Sequence, residues 1–422
     1  MAVDGRRWQV ILPVLAVVGV GLILLGVSLF RPRVDVISII PTRTGSAEYC
    51  LTCHQGIEEI SASHPIAEFG CVSCHGGEAQ GADENSAHRG MVRNPSALNV
   101  ASAYCGECHG APIYLVERSI QATYAGAITT VRRAFGLQQD DIAHFGSVAI
   151  DTLQAFTVSE SDPPHVQRFG ENCLNCHLNA QPIAQDNYHR STGCASCHVL
   201  YNSDGVYGGG DPTIATNEAG HSQTHQFTTA IPYTQCNHCH NRGNYDLRSM
   251  TFLARTDLPL PDGLTPEQQR AHDYYQPGTS FTRCEWELDC IDCHTSYEVM
   301  GDGQIYSSRS QAQYIQCSTC HGTLESPPLS TTIRIEQDIA MTRAALNPYV
   351  DLQVGDTIMT TERGEPLYHI QLENLTWYLT GKATGTVYSL PLVTGSSCQQ
   401  NGTDQSSSYC HQCHAYSLEG TP

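Results

Sequence analysis

Large apolar side chains are scarce in this chain of 422 residues, with only 3 Trp and 9 Phe. Aromatic residues dominate the energetics of ordinary cores, so a core built from side chains alone would be thin. Positive charge is also scarce. There are 22 Lys and Arg against 42 Asp and Glu, a formal net charge of −20. That excludes a nucleic-acid role, which needs a basic face. It equally suits solubility or docking to a basic partner. Unbroken regular elements are few, because 36 Gly and 21 Pro interrupt the chain. Two residue types are abundant instead, with 20 Cys and 20 His. Something other than side chains is expected to fill the interior, and large flat apolar cofactors fit.

One long apolar run exists, from Trp8 to Phe30 behind Arg6 and Arg7. It is long enough to span a bilayer as a helix. A cleaved signal peptide is shorter and ends at small residues, and Gly26-Val27-Ser28 is a poor site of that kind. An uncleaved signal anchor over residues 1–33 and a linker over 34–49 are expected. The expected location is the cytoplasmic membrane, single-pass, with the rest of the chain on the extracytoplasmic side.

Eighteen of the 20 cysteines fall in nine Cys-x-x-Cys-His motifs. These are Cys50, Cys53 and His54; Cys71, Cys74 and His75; Cys105, Cys108 and His109. Next come Cys173, Cys176 and His177; Cys194, Cys197 and His198; Cys236, Cys239 and His240. The last are Cys290, Cys293 and His294; Cys317, Cys320 and His321; Cys410, Cys413 and His414. Two thiols at this spacing each form a thioether to one haem vinyl group, and the adjoining His ligates the iron. A zinc ribbon uses Cys pairs jointly and has no reason to add a His after every pair. A redox dithiol motif occurs once, and a disulfide framework does not need the His. Nine covalent haem c groups are therefore expected.

Through these motifs, from Cys50 to His414, the chain resembles the multihaem c-type cytochromes. The resemblance implies a mostly irregular and α haem-packed fold with few short helices and haems in near contact. Enzymes of that group often carry a Lys-ended motif at one haem, and none occurs here.

Eleven His lie outside the proximal positions. His238 and His411 sit between the Cys of a motif. The other nine are His64, His88, His144, His165, His189, His221, His225, His272 and His369, one for each haem. They are expected as distal iron ligands, giving six-coordinate, closed irons. His64 and His189 each precede the next motif in a repeated context, whereas His221 and His225 are close enough to compete for one iron. Met91, Met250, Met300, Met341 and Met359 are alternative ligands, though Met more often packs.

The chain repeats itself. Glu48-Tyr49-Cys50 and Glu171-Asn172-Cys173 open two copies, each with a second motif preceded by Gly-Cys. Three trihaem modules are expected, at 50–170, 171–283 and 284–422. The first carries an amphipathic helical insert in which Ile113, Val116, Ile120, Tyr124, Ala127, Val131 and Phe135 follow a helical period. The third carries a small antiparallel β insert at about 346–393, marked by turns at Arg363-Gly364-Glu365-Pro366 and Thr380-Gly381-Lys382. Cys284 and Cys398 remain, as a disulfide or as separate buried thiols.

The expected function is extracytoplasmic electron transfer rather than catalysis. Electrons would pass from a membrane quinol-oxidising or periplasmic donor to an extracytoplasmic acceptor. The alternatives are a multihaem reductase of an oxidised nitrogen or sulfur compound, and a self-associating subunit of a haem-chain filament.

Overall fold

The computed structural model describes residues 18–22, 35–181, 189–202, 204–240, 244–246, 251–253, 282, 284, 287–398, 410, 413 and 414. Of the apolar run at Trp8–Phe30, only residues 18–22 are described, and they are helical. No helix among the described residues is long and apolar enough to cross a membrane. The single-pass membrane placement read from that run is thereby corrected.

Helices are mostly single turns, and several of them are the motifs themselves. Val72–His75, Ala195–His198, Cys290–Cys293 and Cys317–His321 each wind one turn. Such a turn places the first Cys, the second Cys and the His at i, i+3 and i+4, on one face. The repeated Gly-Cys has a steric cause. Gly70 and Gly193 lie in the left-handed region at φ 66° and 62°. A Cβ on Gly193 would fall 2.0 Å from the Ser96 carbonyl oxygen, so the turn needs glycine.

The helical insert is three helices where the periodicity predicts one. Gly106–Arg118 ends at Ser119, whose side chain caps Ile120–Thr123. Tyr124 then takes the left-handed conformation at φ 56° before Ala125–Ala134 begins. The apolar face survives the breaks. Ile128 and Val131 pack with Phe169 and Cys173, while Val116 and Ala122 pack with Leu178 and Cys194. Fully burying a side chain such as Ile128 contributes about 2 kcal/mol. The insert therefore anchors the fourth and fifth motifs.

Near the C-terminus, five antiparallel strands form a meander: Ser330–Thr332, Thr357–Thr360, Pro366–Glu373, Thr376–Thr380 and Val387–Leu390. The register shifts between Ile358 and Met359, which pair with Gln371 and Leu367. Successive strand residues point to opposite faces, and these two are both fully buried in different clusters. Ile358 joins Ile333, Ala340, Ala344, Val350 and Leu352. Met359 joins Leu367, Ile370, Trp377 and Leu379 over Cys284, Cys293 and Cys320. The β insert is a wall for the seventh and eighth motifs. Cys284 packs under the sheet beside Cys293 and Cys320, and Cys398 is half-buried.

Candidate cofactor sites

Three histidines between motifs bring their rings against the His that ends a motif. His88 lies 6.1 Å from His54, His225 lies 5.9 Å from His75, and His64 lies 5.8 Å from His109, centroid to centroid. Each pair is tilted by 34° to 40°. A metal–imidazole bond is about 2 Å, so two imidazoles trans on one metal put their centroids roughly 6 Å apart. All three pairs fit that spacing.

The motif rings are also oriented by their second nitrogen. Nδ1 of His75 donates to Val92 O at 2.9 Å, and that of His198 donates to Thr228 O at 2.8 Å. His321 Nδ1 donates to Pro391 O at 2.7 Å. His54 Nδ1 meets Asp211 Oδ2 at 2.7 Å, and His294 Nδ1 meets Glu298 Oε2 at 2.9 Å. Fixing the proton on Nδ1 leaves the Nε2 lone pair for a metal. The facing rings follow the same rule, with His64 Nδ1 on Ser61 Oγ and His225 Nδ1 on the Glu58 carbonyl. Burial pushes the pKa of His64, His75 and His198 down, keeping these rings neutral and able to ligate. Burial and the charge of Arg190 bring His177 to about 4. Glu298 instead raises His294 by accepting its hydrogen bond.

The remaining free-standing His are placed differently. His144 pairs with Asp140 at the surface. His165 stacks on Phe135 at 4.0 Å with Nε2 buried and unpartnered. His369 is fully buried and its Nε2 donates to Asp292 O at 2.9 Å. His189 packs on Gly205, whose carbonyl oxygen accepts from His221 N at 2.8 Å. The ring beside His177 at 5.8 Å is Tyr124, a phenol. His272 and His411 lie outside the described residues.

The sequence reading missed the groups that hold the rings. Asp211 is wholly buried and accepts from Thr213 N, Thr213 Oγ1 and the His54 ring. Glu58 accepts from His225 N, Gly210 N and Tyr207 Oη. Glu48 is wholly buried and accepts from Cys71 N and Val72 N. In the second copy, Cys194 N and Ala195 N bond to Ser96 instead. The run Gly208-Gly209-Gly210 before Asp211 was the available clue, since close backbone approach needs such residues. Glu48 Oε, Cys50 Sγ and Cys71 Sγ also lie within 4.8 Å of one another. Both thiols belong to motifs, so this cluster reports two motifs in contact.

No protein-family model matches the chain, and no solved structure matches it significantly. The C-type polyheme cytochrome OmcB of Geobacter sulfurreducens, in two strains, is 28% identical to it over 225 residues. The match takes in 42% of this chain and spans 28% of the length of those curated relatives. The chain is a distant homologue of a polyhaem c-type cytochrome, and haem c is the cofactor which that relationship supports.

Proposed function

We propose that the chain carries electrons between redox partner proteins through nine covalent haems, one at each Cys-x-x-Cys-His motif. The observation that carries this reading is the set of three ring pairs at 5.8 to 6.1 Å, each joining a motif His to a distant one. Haem c would supply a one-electron iron couple there, and the paired histidines His54 and His88, His75 and His225, and His109 and His64 would hold it. The chain's own groups do the rest. The motif cysteines fix the cofactor edge, and the Nδ1 acceptors Asp211, Val92 O and Thr228 O hold each imidazole in one tautomer. The β insert and the helical insert keep water from the motifs they cover.

The test is a count and a spectrum on the purified holoprotein. Mass spectrometry of the denatured chain should give nine haems. Carbon monoxide should leave the reduced spectrum unchanged at the three paired centres. A count of seven or fewer, or carbon monoxide at three or more centres, overturns the reading.

A further inference from the structure

Contacts between motifs do not follow sequence order throughout. A thioether sulfur sits at the porphyrin edge, so motifs whose cysteines meet bring cofactor edges together. The Cys50 and Cys71 sulfurs lie within 4.8 Å of each other, joining the first and second motifs. The helix Val72–His75 packs on Leu98–Tyr104, which leads into Cys105, joining the second and third. The third then meets the fifth. Cys194 N donates to Ser96 O at 3.1 Å, Ala195 N donates to Ser96 Oγ at 3.0 Å, and Cys194 packs against Leu98 and Val116. These last two residues flank Cys105 on its own helices.

From the fifth motif the contacts run onward. Gln235 Nε2, one residue before Cys236, donates to Ser196 O at 2.8 Å and Val199 O at 3.1 Å. Tyr233 N donates to Asp289 Oδ1 at 2.8 Å, and the helix Tyr233–Cys236 packs on the helix Cys290–Cys293. Cys293 and Cys320 lie under the same apolar cluster of the sheet. The fourth motif touches this series from the side. Gly193 N, next to Cys194, donates to Leu178 O, next to His177, at 2.8 Å. Arg190 is buried at that junction, donating to Asn175 O, Ala180 O and Ser191 O.

We propose that electrons pass through the motifs in the order first, second, third, fifth, sixth, seventh and eighth, with the fourth a lateral centre beside the fifth. The inference rests on the electron-transfer reading above. It adds a route, because every consecutive pair in this order is in contact and the third-to-fifth contact makes passage through the fourth unnecessary. A lateral centre next to the fixed charge of Arg190 can store an electron without interrupting flow.

The test uses the full holoprotein tethered between two electrodes through cysteines introduced at Asp35 and Leu375, which are exposed positions near the first motif and on the sheet. One variant removes attachment at the fifth motif (Cys194→Ala with Cys197→Ala), the other at the fourth (Cys173→Ala with Cys176→Ala). Each should show one haem fewer by mass. Loss of the fifth should lower the current about tenfold or more, and loss of the fourth by less than about threefold. Ferric EPR gives a readout independent of current. Without the fifth haem, spin coupling to the third and sixth centres should disappear, and without the fourth the coupling between third and fifth should persist. If either variant loads poorly, His198→Met and His177→Met replace them, and only the former should slow conduction. A larger loss of current at the fourth motif than at the fifth overturns the route. A fully loaded wild-type protein that carries no current overturns the electron-transfer reading itself.

Discussion

Replacing Asp211 with Asn should raise the reduction potential of one centre, the one held by His54. Asp211 is wholly buried and 2.7 Å from His54 Nδ1. Burial alone would push its pKa up, but hydrogen bonds from Thr213 N, the His54 ring and Thr213 Oγ1 outweigh it and hold the group down. The carboxylate is therefore ionised at neutral pH, and its charge favours the oxidised iron. A carboxylate bonded to Nδ1 lies about 7 Å from a metal on Nε2. At an effective dielectric constant of about 20 the interaction is about 2 kcal/mol. The His54 side chain is 31% exposed, so solvent screening reduces this to about 1 kcal/mol. For one electron, about 1.4 kcal/mol corresponds to about 59 mV, so the expected rise is about 40 mV. Asn keeps the shape and an acceptor oxygen, which isolates the charge. Spectroelectrochemical titration of the variant against the parent, with haem content matched by mass, reads the shift. A downward shift, or a set of potentials that superimposes on the parent's, would refute the argument that Asp211 tunes this site.

Replacing His225 with Ala should leave one centre high-spin by magnetic circular dichroism, because its ring faces His75 at 5.9 Å. His221→Ala, four residues away, should stay low-spin, and the reverse result would invert the pairing. Glu365 is buried and accepts from Arg343 Nη1 at 2.8 Å and Tyr314 Oη at 2.7 Å. Glu365→Ala strands both partners and should cost about 3 kcal/mol in a denaturant melt, while Glu365→Gln costs less. Equal melts for parent and alanine variant would reject that pairing as a source of stability. For Glu58, burial raises the pKa, but hydrogen bonds from His225 N, Gly210 N and Tyr207 Oη bring it below the ordinary 4.5. A depressed carboxylate stabilises above its unfolded pKa and loses that contribution as pH falls through the folded value. The stability gap between parent and Glu58→Gln should thus be constant above about pH 5 and narrow as the pH falls below 4.5; a gap that widens on acidification would contradict it.

Short-range chemistry was legible in the sequence, and long-range geometry was not. The motifs could be read because thioether attachment fixes two Cys and a His within five residues, and one helical turn suffices to align them. The antiparallel sheet could be read from its turns, where Gly364 and Gly381 separate alternating stretches. Its first strand, Ser330–Thr332, escaped because three exposed polar residues carry no alternation. The helical period from Ile113 to Phe135 hid two breaks. One is a serine cap at Ser119, and the other is a left-handed Tyr124, a conformation that tertiary packing imposes against local preference. The repeat drew attention to His64, yet its ring faces His109 of the third motif rather than the motif next to it. The reach of Asp211 to His54 spans 157 residues, and nothing in the local composition of either segment encodes it.

The meeting of His75 with His225 has a bearing on how the protein is made. The two rings come from positions 150 residues apart in the chain, a contact of high sequence separation, which forms late because loop closure must precede it. His54 and Glu58 lean on the same downstream stretch through Asp211, Gly210 and His225. Synthesis from the N-terminus delivers the first three motifs long before that stretch exists. A cofactor attached early at Cys71 and Cys74 would wait, half-coordinated and open to oxygen or peroxide, until residue 225 arrived. Attachment at Cys71 and Cys74 after residue 225 has been made would avoid that interval, an order imposed by the separation of the two rings along this polypeptide.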